Sequence, residues 1–124
     1  MDSDDYLKHD AIESVQKWIV TIDQDPYFAG VSGLRSNSKG NVIGTFPIGS
    51  AFVDATNLER EKYKLLGDKA EIYRKDILLA YPFHEYPNER FLPEAVVWDR
   101  IARDGYKLRW YNQVICICRT KRLD

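Results

Sequence analysis

Apolar residues recur at three- and four-residue steps in two segments, which predicts two amphipathic helices. The first follows Asp10, which with Glu13 has the spacing of a capping pair, and ends at Asp25-Pro26 because proline resists helix. The second begins at Pro93 and ends before Gly105. The residues expected to face the core are Ile12, Val15, Trp18, Ile19 and Ile22 in the first helix and Val97, Trp98 and Ile101 in the second.

Four apolar runs are short enough to be strands. Residues 28–34 and 42–46 flank a turn rich in Ser, Asn and Gly, which predicts a β-hairpin. Residues 107–111 and 114–118 predict two further strands. The last run is apolar on both alternating faces, which favours a strand covered on both sides.

Between these segments the pattern predicts two more helices. Thr56 and Glu59 have the spacing of a capping box, and this helix is expected to end at Gly67. A short helix is expected at residues 74–80, followed by a loop at residues 82–93 that is rich in acidic and aromatic side chains. Because helices and strands alternate along the chain, the sequence predicts one α/β domain spanning residues 1–124.

Composition and charge exclude several classes. The 124 residues carry 18 basic and 19 acidic side chains, so the net charge of -1 argues against an electrostatic nucleic-acid binder. No run of 18 apolar residues exists, so no transmembrane segment is expected. The N-terminus is acidic where a secretory signal would be basic and then apolar. We therefore expect a cytoplasmic domain.

Cysteine and histidine are scarce. Cys116 and Cys118 are separated by one residue, which on a strand is a poor geometry for a mutual disulfide bond. Two cysteines do not supply a four-ligand zinc site, and neither His9 nor His84 has a cysteine or histidine at ligand spacing. A structural zinc site is therefore not expected.

The first candidate site is acidic. Asp2, Asp4 and Asp5 directly precede the first helix, and carboxylates two residues apart can converge on one Mg²⁺ or Mn²⁺ ion. Such an ion could bridge the phosphates of a nucleotide. Alternatively, these acids merely favour the helix N-terminus through its dipole. The spacing itself is common, since Asp23-Gln24-Asp25 repeats it.

The second candidate is Glu94, in the first turn of the predicted helix after Pro93. A carboxylate there could act as a general base toward a hydroxyl group. Alternatively, it is only a first-turn acid that complements the helix dipole. Glu85 and Glu89, in the preceding aromatic loop, are rival candidates for the base, and that loop could either cover a carbohydrate or pack on the core.

Taken in order, these motifs resemble the family 2 glycosyltransferases, which have the GT-A fold. An Asp-Ser-Asp-Asp-x-Leu motif precedes an amphipathic helix, and further on an acid opens a helix that continues with Trp-x-Arg-Ile. The matching residues are Asp2 to Leu7, Gly67 to Arg74, Glu94, Trp98 to Ile101, and Gly105 to Lys107. The resemblance covers nearly the whole chain.

The resemblance implies a partial GT-A-like α/β/α sandwich with a mixed sheet. It implies that Asp2 lies near the ribose and diphosphate of the donor, that Asp4 binds Mn²⁺ or Mg²⁺, and that Glu94 is the catalytic base. The implied reaction transfers a sugar with inversion from a nucleotide-diphospho-sugar to an acceptor hydroxyl. Two positions depart from the family pattern: Pro93 replaces the first acid of a pair, and Glu94 stands where Asp is common.

The resemblance also implies partners. These are a nucleotide-sugar donor and a carbohydrate or lipid-linked acceptor, in cell-surface polysaccharide or lipopolysaccharide synthesis, with peripheral membrane contact. The family carries a nucleotide-binding βαβ half ahead of the Asp-x-Asp motif, so this chain is expected to be the C-terminal part, inactive alone, and to form a homodimer or pair with an upstream half. The alternative is a non-catalytic module that binds carbohydrate or protein through an exposed sheet edge.

Overall fold

The computed structural model describes residues 5–81 and 94–118, with the backbone alone at Glu94 and Ala95. The described strands are β1 (Tyr6–Leu7), β2 (Phe28–Asn37), β3 (Phe52–Ala55), β4 (Lys69–Tyr73) and β5 (Lys107–Cys118). The described helices are α1 (Ala11–Ile22), α2 (Lys75–Ala80) and α3 (Glu94–Arg103), with a 3₁₀ turn at Asn57–Glu59.

The strands form one mixed sheet in the order β1-β5-β2-β4, and β3 also pairs with β5. Strands β2 and β5 are parallel, and the other pairs are antiparallel. Because β2 occupies one edge of β5, β1 and β3 share its other edge, one beside each end. The α/β class is confirmed, and the two strands predicted at residues 107–118 are one continuous strand.

Helices cover both faces of the sheet. Helix α1 covers one face, where the buried side chains are Ala11, Trp18, Ile22, Phe28, Val31, Ala70, Ile115 and Cys116. Helices α2 and α3 cover the other face, where they are Ala29, Ala55, Leu65, Ile77, Val97, Ile101, Leu108 and Trp110. The described residues therefore form three layers, with two apolar cores separated by β2 and β5.

Helix α1 confirms the first predicted helix, with a change in which face is buried. Trp18 and Ile22 are buried as expected, and Trp18 stacks on Tyr111 with ring centroids 4.2 Å apart. Ile12 and Ile19 are 58% and 39% exposed, because the helix is rotated so that Ala11 lies inward. The side chain of Asp10 makes no capping hydrogen bond, so this part of the prediction is wrong.

Helices α2 and α3 confirm the two predicted helices of the second half. Val97 and Ile101 are buried, and half-buried Trp98 stacks on Tyr73 with ring centroids 4.3 Å apart. Gly105 has a φ of +94°, the left-handed conformation expected after a helix end. Within residues 5–81 and 94–118, every helix is too short or too polar to cross a bilayer.

The predicted hairpin forms only at its turn, where the Asn37 N–H donates to the Asn41 carbonyl and the Ile43 N–H donates to the Arg35 carbonyl; residues 43–46 form no strand. Strand β2 continues to Asn37 and has β4 on one edge and β5 on the other, so no edge remains for a hairpin partner along most of its length. Only Ser36 and Val42 form a bridge. The chain then turns away at Gly44, whose φ is +78° and whose backbone lies so close to Leu66 that a Cβ atom would clash with its carbonyl oxygen.

The helix predicted from Thr56 to Gly67 is also wrong in extent. The capping box forms, with the Thr56 N–H donating to Glu59 Oε1 over 2.9 Å, but only a 3₁₀ turn follows. Lys64 has a φ of +59°, which breaks any helix and lets the next residue, Leu65, enter the core. Strands β3 and β4, on either side of this segment, were not predicted.

Candidate functional site

The acids singled out from the sequence fall largely outside the described residues. Asp2 and Asp4 precede the first described residue, and Glu85 and Glu89 lie between the two described ranges. Glu94 is the first residue of α3, and its side chain is not among those described. The structure therefore positions the elements that adjoin these acids.

Asp5 shows where the acidic N-terminal motif joins the sheet. Strand β1 follows at once and runs antiparallel to the last part of β5, with Tyr6 opposite Ile117 and Leu7 opposite Cys116. Strands β2 and β5 are parallel there, and both approach their carboxyl ends. Asp5 thus lies at the carboxyl edge of the parallel pair, which is where α/β sheets commonly bind ligands.

The Asp5 side chain is buried against Arg35. One carboxylate oxygen, Oδ2, lies 3.3 Å from Arg35 Nη1, and the Asp5 and Arg35 side chains are 5% and 20% exposed. The guanidinium is also held by its Nε, which donates to the backbone carbonyl of Lys69 over 3.0 Å. The second oxygen, Asp5 Oδ1, is buried and has no hydrogen-bond partner among the described residues.

Both cysteines lie beside this ion pair. Arg35 Nη1 lies 3.4 Å from Cys116 Sγ and 4.0 Å from Cys118 Sγ, and the two cysteines are not joined by a disulfide bond. Burial raises the pKa of the Cys116 thiol, while the nearby guanidinium opposes that change. Burial alone would lower the pKa of Arg35, yet its hydrogen bond to Cys118 and the nearby charges of Cys116, Cys118 and Glu71 raise it overall. Together, these four side chains (Asp5, Arg35, Cys116 and Cys118) form the edge cluster.

Helix α3 lies against a different stretch of β5. Its Val97 and Ile101 share a core with Leu108 and Trp110, near the start of the strand. Leu108 and Cys116 are eight residues apart, about 26 Å in an extended strand. The described residues thus bring the acidic motif and the Glu94 helix to the same sheet, at different positions along β5.

Helix α3 is also fixed by side-chain contacts. The amide Nδ2 of Asn57 donates to Asp99 Oδ1 over 3.0 Å, which ties the middle of α3 to the 3₁₀ turn. The chain turns at residues 104–106 and enters β5, so the end of α3 adjoins the start of that strand.

A shallow surface depression of about 500 Å³ opens beside the 3₁₀ turn. It is lined by Asn57, Leu58, Arg60, Glu61, Leu65, Leu66, Gly67 and Asp68. Its main cation, Arg60, already donates from Nε to the carbonyl of Leu65 over 3.0 Å and lies 5.3 Å from the Trp110 ring. The guanidinium therefore holds the loop that lines the depression.

Sequence reasoning did not find the edge cluster. It considered Asp5 only as part of the acidic motif and judged the cysteines only against each other and the histidines. The available signal was Arg35, a charged residue inside an otherwise small and apolar strand. A cation there requires a partner, but the sequence does not show which of its 19 acids provides it.

Comparison of the chain with protein-family models, with curated proteins and with solved structures finds no match. The resemblance to family 2 glycosyltransferases therefore rests on the motifs in the sequence. No relative transfers an activity or a ligand to this chain.

Proposed function

We propose that this chain is the metal- and acceptor-side part of an inverting, GT-A-like glycosyltransferase that uses a nucleotide-diphospho-sugar. The observation that carries the proposal is the position of Asp5 at the carboxyl edge of β2 and β5, directly after Asp2 and Asp4 in the sequence. In α/β sheets, this edge is where nucleotide ligands bind. The order of the motifs along the chain supports the same activity.

The donor chemistry of the acidic motif suits a hard cation. Asp5 already shares its carboxylate with Arg35, so a Mn²⁺ or Mg²⁺ ion would be held by Asp4, with Asp2 near the ribose and diphosphate. Bound there, the ion would offset the charge that grows on the diphosphate as it leaves. The Asp5–Arg35 pair has a positioning role, since it fixes the residue that adjoins the metal-binding aspartate.

In this mechanism, Glu94 acts as the base. Its carboxylate accepts a proton from the acceptor hydroxyl, whose oxygen then attacks the anomeric carbon from the face opposite the leaving diphosphate. The N-terminus of α3 favours the ionised carboxylate that a base requires. Packing of Val97 and Ile101 on β5 fixes the helix that presents it.

The deciding experiment is calorimetric titration of the full chain with Mn²⁺ and a panel of nucleoside diphosphates. We expect nucleotide binding that requires the metal and is lost in Asp4→Ala. Asp23→Ala is the matched control, because it removes an aspartate from the other Asp-x-Asp sequence, and it should bind as the wild type does. Metal-dependent binding that is unchanged in Asp4→Ala would contradict the proposal.

A second experiment identifies the base. Where transfer from a nucleotide sugar is measurable, Glu94→Gln should abolish it while leaving nucleotide binding intact. Glu85→Gln and Glu89→Gln, which change the two rival acids, should retain transfer. Loss of transfer in one of these variants with retention in Glu94→Gln would reassign the base to the loop.

The second candidate function is a non-catalytic binding module. Strand β4 pairs only with β2 within the described ranges, so its other edge is available for strand addition. This alternative predicts self-association of the chain, measured by sedimentation, together with no metal-dependent nucleotide binding. Nucleotide binding by a monomer would exclude it.

A further inference from the structure

We propose that the edge cluster is a zinc site in which Asp5, Cys116 and Cys118 bind the ion directly and Arg35 contacts these three ligands. One ligand atom from each of the three residues lies within 4.8 Å of the others. This site is separate from the hard-cation site assigned to Asp4, and the inference does not depend on glycosyl transfer.

The unpartnered oxygen of Asp5 is the observation that points to a ligand. The side chain is 95% buried, Oδ2 faces Arg35, and Oδ1 lies inside the protein without a partner among the described residues. A buried carboxylate oxygen that is desolvated and unpaired is unfavourable unless something binds it. A metal ion satisfies this oxygen while Oδ2 keeps its contact with Arg35.

The spacing of the ligand atoms is close to that of a zinc site. Zn–S bonds of about 2.3 Å and Zn–O bonds of about 2.1 Å in a tetrahedron place ligand atoms roughly 3.5–3.8 Å apart. Ligand atoms within 4.8 Å of one another therefore need shifts of only about 1 Å. Cys118 is half-buried, so the site is open enough for an ion to enter.

The donor set selects the kind of metal. Two thiolates favour Zn²⁺ over Mg²⁺, Mn²⁺ or Ca²⁺, which prefer oxygen ligands. Three protein ligands leave a fourth position for a water molecule or a substrate, as zinc sites with an open position do. The sequence argument against zinc counted only cysteine and histidine, and it did not include the aspartate that β1 brings to the end of β5.

Arg35 completes the charge balance. Two thiolates and one carboxylate around Zn²⁺ carry a net charge of -1, and the guanidinium contacts all three ligand residues. Its hydrogen bond to the Lys69 carbonyl keeps it in place. Outer-shell donors of this kind orient the ligands and strengthen metal binding.

The test is a titration of the reduced full chain with Co²⁺ that is monitored by optical absorption. Zn²⁺ is then added to displace the bound cobalt. We expect one equivalent to bind with a thiolate-to-cobalt charge-transfer band and the visible bands of a tetrahedral site. Cys118→Ser and Asp5→Asn each change a proposed ligand and should weaken Co²⁺ binding by at least about tenfold. Loss of a group that only supports a ligand already costs about that much. Absence of the charge-transfer band in the wild type would overturn the proposal.

Matched variants separate this site from its neighbours. Asp10→Asn, five residues after Asp5, and Asp4→Asn should both retain the cobalt spectrum. Loss of the spectrum in Asp4→Asn with retention in Asp5→Asn would assign the metal to the acidic motif and refute this proposal. Because Asp5→Asn also weakens the pair with Arg35, circular dichroism of each variant is compared first.

Cys118→Ser provides the independent readout if Asp5→Asn fails to fold, since it leaves the ion pair intact. Zn²⁺ should raise the melting temperature of the wild type clearly more than that of Cys118→Ser, because a ligand that binds only the native state stabilises it in proportion to its affinity. Mg²⁺ should not reproduce this shift. An equal shift in both proteins would refute the site.

Discussion

An arginine–aspartate pair lies beside each end of β5, and the two pairs differ in completeness. Near the start, Arg109 on β5 donates two hydrogen bonds to Asp54 on β3, from Nε to Oδ1 over 2.8 Å and from Nη2 to Oδ2 over 3.0 Å. Near the end, Arg35 on β2 reaches Asp5 through a single 3.3 Å contact. The shorter, bidentate pair is the more exposed one, since Asp54 is 32% exposed and Asp5 only 5%.

The difference distinguishes a structural ion pair, in which both carboxylate oxygens are bonded, from a pair that could still bind a ligand. Both oxygens of Asp54 are bonded, and the Arg109 guanidinium lies 5.1 Å from the Phe28 ring and 4.4 Å from the Phe52 ring. At the other end, one oxygen of Asp5 is unpartnered within the described ranges and the arginine faces thiols. A buried charge with incomplete pairing marks a candidate functional site more strongly than a well-formed surface ion pair does.

The largest expected effect comes from breaking the buried pair. Asp5→Ala leaves Arg35 without its carboxylate partner while the guanidinium is only 20% exposed, so we expect a loss of about 3 kcal/mol in the free energy of unfolding. Urea denaturation with a chelator present measures this loss without any contribution from metal. Asp10→Ala removes the same charge from an aspartate that makes no capping bond, so it should lose far less. Equal losses in the two variants would contradict the buried-pair interpretation.

A second buried cation at the same end predicts a dependence on pH. Lys69 is 4% exposed and lies near Arg60, and burial together with that charge lowers its pKa from 10.5 to about 8. Between these values the unfolded chain binds more protons than the native protein, so the free energy of unfolding should rise with pH. Lys69 should contribute a rise of about 2 kcal/mol between pH 7 and pH 9.5, which the raised pKa of Cys116 partly opposes.

Lys69→Met is the matched variant for this measurement, because it keeps the length of the side chain and the backbone carbonyl that accepts from Arg35. Its stability should change much less over the same range. The range stops below pH 10 because the pKa of Tyr81 is raised to about 12, chiefly by its hydrogen bond to Asp104. Above pH 10, Tyr81 ionises more readily in the unfolded chain than in the native protein, so the free energy of unfolding falls. The same rise with pH in Lys69→Met would refute the assignment to Lys69.

The sequence predicted the elements that depend on local patterns. Helices α1 and α3 follow from apolar spacing and from the residues at their ends, such as Gly105. Strands β3 and β4 are short, and their pairing with distant strands is a long-range property that no local pattern shows. The helix predicted after Thr56 failed because a capping box forms equally well on a 3₁₀ turn.

The candidate site was still less accessible from the sequence. Asp5 and Arg35 are 30 residues apart, and Cys116 is 81 residues beyond Arg35, so only the sheet order brings them together. The order β1-β5-β2 depends on the parallel pairing of β2 with β5, which joins segments far apart in the sequence. The sequence did not predict this pairing, so the edge cluster was not found.

The smallest effect should come from the complete pair near the start of β5. We expect Asp54→Ala to lower the free energy of unfolding by about 1 kcal/mol, because Asp54 is itself 32% exposed and Arg109 keeps its contacts with the Phe28 and Phe52 rings. Asp76→Ala is the control, since its pair with Arg74 is more exposed, at 64% for the aspartate, and should contribute still less.

Double-mutant cycles with each arginine, measured in low and high salt, isolate the pair energies. Salt should weaken the Asp54 coupling and leave the Asp5–Arg35 coupling nearly unchanged, because screening acts mainly on hydrated charges. Equal salt sensitivity of the two couplings would mean that the pair at the end of β5 is as open to water as the pair at its start.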